Sequence, residues 1–131
     1  MYRVAIFSVD DRLVQKISRS VEFLDCHVFR FSTLLSSHQA GFLQNFDLIF
    51  VHEEKQTLDV NHFIDKTTDD HQPALTVALL PDSQCRMAGP LLDMGYDRCL
   101  SESFAEEHLA AMVRALLRRR LGVCSTISFY G

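Results

Sequence analysis

The stretch FDLIFVHEE (residues 46–54) begins as an apolar run and ends in a histidine and two glutamates. A short, continuous apolar run is typical of a strand that is covered by helices on both faces of a parallel sheet. His52 then lies at the C-terminal end of this strand, on the edge where parallel α/β sheets usually bind ligands. The stretch therefore predicts a buried strand and makes His52 the first candidate for a functional residue.

Short apolar runs alternate with segments of helical periodicity along the rest of the chain. Besides 47–51, the predicted strands are VAIF (4–7), HVFRF (27–31), PALTVALL (73–80) and DRCL (97–100). The predicted helices are 13–24, 34–44, 60–67, 83–94 and 104–120, with Pro90 as a kink or late start and Gly95 as a helix end. This order predicts an α/β fold, (βα)5, with a doubly wound, five-stranded parallel sheet of the flavodoxin or receiver type.

The amino-acid composition favours a globular domain and argues against several other classes of protein. The chain has 131 residues, 47% of them hydrophobic, which suits one globular domain. Its net charge of −4 argues against a free-standing nucleic-acid binder. The four cysteines show no CxxC pairing and no clustered histidines, so we expect reduced thiols, a cytoplasmic protein and no metal or cofactor. No segment approaches 18 uninterrupted apolar residues, so we expect no membrane partner.

The tail GVCSTISFYG (122–131) does not fit the alternation. We predict a receiver-like domain over 1–121 and interpret the strand-like tail in two ways. It is either an extra edge strand, or the linker or start of a following domain that is not in this chain. We favour the second interpretation, because a lone terminal strand would expose an unpaired edge.

Three segments resemble the response-regulator receiver domain, in particular the OmpR/PhoB-like class of two-domain transcription regulators. FDLIFVH (46–52) is similar to the family's third strand, and GYDRCLSESF (95–104) is similar to its fifth strand and the loop that follows. MVRALLRRR (112–120) is similar to its last helix. The resemblance covers 2–121 and implies a non-enzymatic, cytoplasmic domain of two-component signalling. A DNA-binding winged-helix domain would follow Gly131.

The resemblance also implies that the phosphorylation site is degenerate. The family's phosphoryl-accepting aspartate aligns with His52, and an imidazole is a poor Mg²⁺ ligand that cannot form an acyl phosphate. The family's acidic pair aligns with the region Ser8, Val9, Asp10 and Asp11. We favour Ser8 and Val9 at the two acid positions, because the apolar face of the next helix then begins four residues later.

The remaining positions of the family's switch are also replaced. The Thr or Ser at the end of the fourth strand aligns with Ala78, Leu79 or Leu80, none of which carries a hydroxyl. The phosphate-binding lysine aligns with Glu102, which reverses the charge, and Cys99 takes the place of the aromatic switch residue. We therefore interpret the chain as an atypical receiver-like domain that works without phosphorylation.

His52 has two interpretations. Beside Glu53, Glu54 and Glu102 it could form a hydrogen-bonded or pH-sensitive pair that replaces the lost ionic network. Alternatively, it is a surface-loop histidine without a role.

The family dimerises through its last two helices and the strand between them, which here correspond to 83–94, 97–100 and 104–120. Mixed charge beside apolar side chains suits such an isologous contact, although the same charges could simply make the last helix soluble. We therefore expect a homodimer, and whether a sensor kinase exists stays open. The predicted dimer face contains Leu91, Leu92, Asp97, Arg98, Met112, Arg114, Arg118 and Arg119.

Three functions stay open from the sequence. The first is a regulatory and dimerisation domain of a transcription regulator, which would bind DNA only through a further domain. The second is a stand-alone pseudo-receiver that binds another protein. The third is a small flavodoxin-like enzyme or ligand sensor that uses the crevice around Ser8, Asp10, His52 and Glu102.

Overall fold

A computed structural model describes residues 2–31, 46–52, 74–93 and 95–130, with side chains up to Arg118. Its five strands form one sheet in the order β2-β1-β3-β4-β5, and every neighbouring pair is parallel. The strands are β1 (Tyr2–Phe7), β2 (Cys26–Phe31), β3 (Leu48–His52), β4 (Leu75–Leu80) and β5 (Arg98–Ser101). All five predicted strands and the doubly wound α/β architecture are thereby confirmed.

The described helices are α1 (Asp11–Ser20), a 3₁₀ helix (Asp82–Met87), α2 (Ala88–Asp93) and α3 (Glu106–Tyr130). Pro90 lies in the first turn of α2, where backbone N–H groups have no partner within the helix, so its missing donor costs little. Gly95 follows α2 with φ 112°, a conformation that favours glycine, and its N–H donates to Leu92 O at 3.1 Å. The helices predicted over 34–44 and 60–67 lie outside the described residues.

The alternation of side chains along each strand divides the core between the two faces of the sheet. On one face, residues of β1, β3 and β4 are buried against α1 and α3, with Ile17 and Leu109 both fully buried. On the other face, the opposite residues of the same strands are buried with Phe46, Leu91 and Tyr96. Because both faces of β3 are covered, its first four residues are all buried, as the apolar run of 48–51 predicts.

The strand-like interpretation of the tail is wrong, because residues 122–130 continue α3. The interpretation of the tail as a linker or the start of a following domain stays a prediction. The alternation of Ile127 and Phe129 is too short to override an existing helix, because each residue added to a helix gains a hydrogen bond without a new nucleation cost.

Candidate functional site

Three polar side chains meet at the C-terminal edge of the sheet. Ser8 directly follows β1, His52 is the last residue of β3, and Glu102 directly follows β5. Parallel pairing brings the C-terminal ends of these strands to the same edge of the sheet. Ser8 therefore contacts His52, 44 positions away in sequence, and His52 contacts Glu102, 50 positions away. Glu102 reaches past the end of β4, whose Leu80 carbonyl accepts from Glu102 N at 2.7 Å.

These side chains form a continuous hydrogen-bonded chain, which we call the Ser8–His52–Glu102 relay. Ser8 Oγ is 3.1 Å from His52 Nδ1, and His52 Nε2 is 2.7 Å from Glu102 Oε2. An ionised carboxylate can only accept, so Nε2 carries a proton, and in the neutral imidazole Nδ1 accepts from the Ser8 hydroxyl. The partners thereby assign the tautomer of His52.

The relay is largely shielded from water. The His52 side chain is 4% exposed, whereas the Glu102 side chain is 40% exposed. Ser8 is buried, its Oγ also accepts from Asp10 N at 3.0 Å, and its carbonyl accepts from Arg30 Nε at 3.2 Å. This buried position at the end of β3 is not that of a surface-loop histidine, the second of the two interpretations of His52. Glu53 and Glu54 lie outside the described residues.

The neighbouring acids have other partners. Asp10 caps α1, since its Oδ1 accepts from Arg12 N at 3.0 Å and from Leu13 N at 3.3 Å. Asp11 forms an ion pair with Arg30 at the surface. Val9 is exposed. The structure therefore brings Ser8, but not the side chains of Asp10 and Asp11, into hydrogen-bond contact with His52.

The end of β4 offers no hydroxyl to this edge of the sheet. Ala78, Leu79 and Leu80 are all buried in the core. The hydroxyl of β4 belongs to Thr76, which accepts from Asp97 N at 3.4 Å near the start of β5. That contact lies at the opposite end of the strands.

A second cluster holds the loop after β5. Ser101 Oγ and Ser103 Oγ both donate to Asp82, the latter at 2.9 Å to Oδ1. The hydrogen bond from Ser101, followed by that from Ser103, holds the pKa of the Asp82 carboxyl below its ordinary value. Sequence reasoning missed this cluster, although the Ser-Glu-Ser spacing after a predicted strand was its available signal.

The residues of the predicted dimer face lie in different environments. Leu91 is fully buried in the core, so its assignment to this face is wrong: it packs inward from α2 against the sheet. Arg114 lies over the Phe23 ring at 4.7 Å, beside the end of α1. Met112 packs partly against the core on the same side of the sheet as α1.

The other members of that face differ in burial. Leu92 is 44% exposed, and Arg98 and Arg118 are exposed. Asp97 accepts from Thr76 N at 2.8 Å, which ties the start of β5 to β4. Cys99, the aligned switch position, is half-buried and donates to Ala88 O at 3.7 Å. The side chain of Arg119 lies outside the described residues.

An open groove of about 260 Å³ adjoins the relay. Of the relay residues, Glu102 lines this groove. The other lining residues are Asp10, Arg12, Leu13, Lys16, Asp82 and Ser103. Among the described residues, no group of three His, Cys, Asp or Glu side chains could hold a metal ion. No helix in the described ranges is long and apolar enough to cross a membrane.

Solved structures identify the fold. The signal receiver domain of a protein described as a Luxo repressor from Vibrio parahaemolyticus aligns with a TM-score of 0.71 and 15% identity, covering 96% of each chain. An orphan response regulator of H. pylori aligns with a TM-score of 0.70 and 15% identity over 89% of this chain and 97% of that one. A pilus assembly-related protein from Burkholderia pseudomallei gives 0.68, 15% identity and 88% coverage of each chain.

No protein-family model and no curated protein sequence matches the chain. At identities near 15%, the structural likeness concerns the fold and not the chemistry of the site. The all-parallel sheet, its strand order and these alignments together show that the chain has the CheY-like fold of response-regulator receiver domains.

Proposed function

We propose that this chain is a receiver-like regulatory domain of a transcription regulator that works without phosphorylation. The observation that carries the proposal is the Ser8–His52–Glu102 relay. It fills the strand-end positions that align with the receiver family's acidic pair, phosphoryl acceptor and lysine. In this chain the side chains of Ser8, His52 and Glu102 at those positions are hydrogen-bonded to one another.

The chemistry of the relay disfavours phosphoryl transfer. Mg²⁺ needs several oxygen ligands in near-octahedral geometry. The position that aligns with the family's phosphoryl-accepting aspartate carries the imidazole of His52, which offers nitrogen and not oxygen. A phosphoryl group would also meet the carboxylate of Glu102, where a cation would be needed to stabilise its charge. Ala78, Leu79 and Leu80 supply no hydroxyl for it.

The relay also offers a replacement for the family's switch. It connects the ends of β1, β3 and β5, and the Asp82 cluster fixes the adjacent loop through Ser101 and Ser103. We infer that these contacts hold the loop in one conformation, so the domain presents a single surface to its partner at all times.

Dimerisation is the output that we propose for this surface. Because Leu91 is buried, a dimer contact would use the exposed Leu92 and Arg98 together with the outer side of α3. The fold's occurrence in a protein described as a repressor supports a transcription regulator, and DNA contact would then belong to a domain beyond Gly131.

A second candidate is an interaction module within a larger assembly. The same fold occurs in a protein that is described as pilus assembly-related, which aligns over 88% of this chain. This description refers to an assembly and not to transcription, which favours the second candidate. A dimer in solution would favour the regulator, whereas a monomer that binds a different protein would favour the module.

Intact-mass spectrometry of the chain with acetyl phosphate and Mg²⁺ tests phosphorylation independence. We expect no adduct with the mass of a phosphoryl group, and also none for His52→Asp, because Glu102 and the missing hydroxyl still oppose the charge. A receiver domain with an intact acidic site is the positive control. A stable phosphoryl adduct on the unmodified chain would contradict the proposal.

A further inference from the structure

From its geometry we propose that Ser8 is an activated nucleophile that hydrolyses short carboxylic esters. The relay has the arrangement of a nucleophile, a general base and a carboxylate that orients the base. The two contacts, 3.1 Å from Ser8 Oγ to Nδ1 and 2.7 Å from Nε2 to Glu102, are both within hydrogen-bond reach. This inference goes beyond the regulatory function and does not depend on it.

The tautomer of His52 suits this role. With its proton held at Nε2 by Glu102, the imidazole presents a lone pair at Nδ1 to the Ser8 hydroxyl. A proton taken from Ser8 would make an imidazolium, and the adjacent carboxylate would stabilise that charge. Burial of the imidazole strengthens this interaction, because the dielectric screening by water is reduced.

The surroundings of Ser8 provide a donor and a place for substrate. The Asp10 backbone N–H donates to Ser8 Oγ at 3.0 Å and would stabilise the negative charge that develops on that oxygen as its proton passes to His52. The groove adjoins the relay through Asp10 and Glu102. Arg12, Lys16 and Leu13 line this groove together with the carboxylates of Asp10, Asp82 and Glu102, and its volume of about 260 Å³ leaves room for a short acyl chain.

The reaction balances with water as the only co-reactant. Ser8 Oγ attacks the ester carbonyl and its proton passes to His52 Nδ1. The bond to the leaving alcohol then breaks as the alcohol takes that proton, which leaves an acyl-serine. A water molecule attacks the acyl group, gives its proton to Nδ1, and the proton returns to Ser8 Oγ as the carboxylic acid departs.

Hydrolysis of the 4-nitrophenyl monoester of succinic acid, compared with 4-nitrophenyl acetate, tests the proposal on the full chain. We expect both esters to be hydrolysed faster in the presence of the chain than in buffer. Ser8→Ala should abolish turnover, and His52→Gln should lower it by about 100-fold or more. Ser18→Ala is the matched control, because its hydroxyl donates to Val14 O within α1 and does not line the groove, so the rate should not change.

Labelling with a fluorophosphonate provides a second readout that a purely structural relay would not give. Peptide mapping should place the label on Ser8, at a rate that Glu102→Gln lowers by at least about 10-fold while circular dichroism shows an unchanged fold. The proposal is overturned if Ser8 stays unlabelled, if Ser8→Ala hydrolyses both esters as fast as the unmodified chain, or if neither ester reacts above the rate in buffer.

Discussion

At the level of single residues, the hydrogen bond between His52 Nε2 and Glu102 Oε2 connects a buried imidazole to a partly exposed carboxylate. A buried polar group needs a partner, because losing one leaves its full desolvation cost unbalanced. The contact therefore stabilises the folded chain as well as defining the site.

Glu102→Ala tests this contribution. We expect it to lower the free energy of unfolding by about 1–2 kcal/mol, because Nε2 would lose a charged acceptor. Glu102→Gln should cost less, since its amide oxygen can still accept. Urea denaturation measures both, with Glu107→Ala as a control on the exposed side of α3. Equal stability of Glu102→Ala and the control would contradict the assignment.

The adjacent leucines of α2 provide a matched pair. Leu91 is fully buried and Leu92 is 44% exposed, although they differ by one position. Leu91→Ala should lower the free energy of unfolding by about 2–5 kcal/mol through cavity formation, and Leu92→Ala by less than about 1 kcal/mol. Thermal denaturation measures the difference. A larger cost for Leu92→Ala would mean that α2 presents its other face to the core.

At the level of elements, the start of α1 is fixed by a single carboxylate. Asp10 accepts from two backbone N–H groups of the first turn, and the adjacent Asp11 does not. The contact explains why α1 begins at Asp11, two residues before the apolar face at Leu13.

Asp10→Ala should therefore destabilise the chain by about 1 kcal/mol, since two donors of the first turn lose their acceptor. Asp10→Asn should retain most of the stability because its side-chain oxygen can still cap the helix. Asp11→Ala is the comparison, because it removes the same charge and a surface ion pair with Arg30 but no acceptor for the backbone of the first turn. Circular dichroism during thermal unfolding measures all three, and equal effects of the Asp10 and Asp11 variants would contradict the capping role.

The loop between β5 and α3 should show a pH dependence set by Asp82. Its pKa in the folded chain lies below the ordinary value of 3.8, chiefly because Ser101 and then Ser103 donate to the carboxylate. The stabilisation is therefore present above that ordinary value and is lost as the pH falls through the folded pKa. The melting temperature of the unmodified chain should exceed that of Asp82→Asn near neutral pH, and this difference should shrink in acid. A difference that grows on acidification would contradict the sign.

At the level of the whole molecule, the sequence predicts the sheet because each strand is a short apolar run between helical patterns. It also places Ser8, His52 and Glu102 at one edge, since parallel strands share a direction. It names Glu102 as one of three possible partners of His52 but does not predict the hydrogen bond between Ser8 and His52. Leu91 was assigned to a surface because helical spacing alone does not say where the core lies. The continuation of α3 was missed because local alternation at 127–129 competes with helix propagation.

The measurement that tests the central claim most directly is the solution mass of the chain by light scattering, with and without Mg²⁺ plus beryllium fluoride. Beryllium fluoride mimics a phosphoryl group and needs the acidic site to bind. Because we propose that the relay takes the place of that site, we predict the same mass in both conditions, and a dimer in both if the domain assembles constitutively. A monomer that becomes a dimer on addition would show a working phosphorylation site and contradict the account.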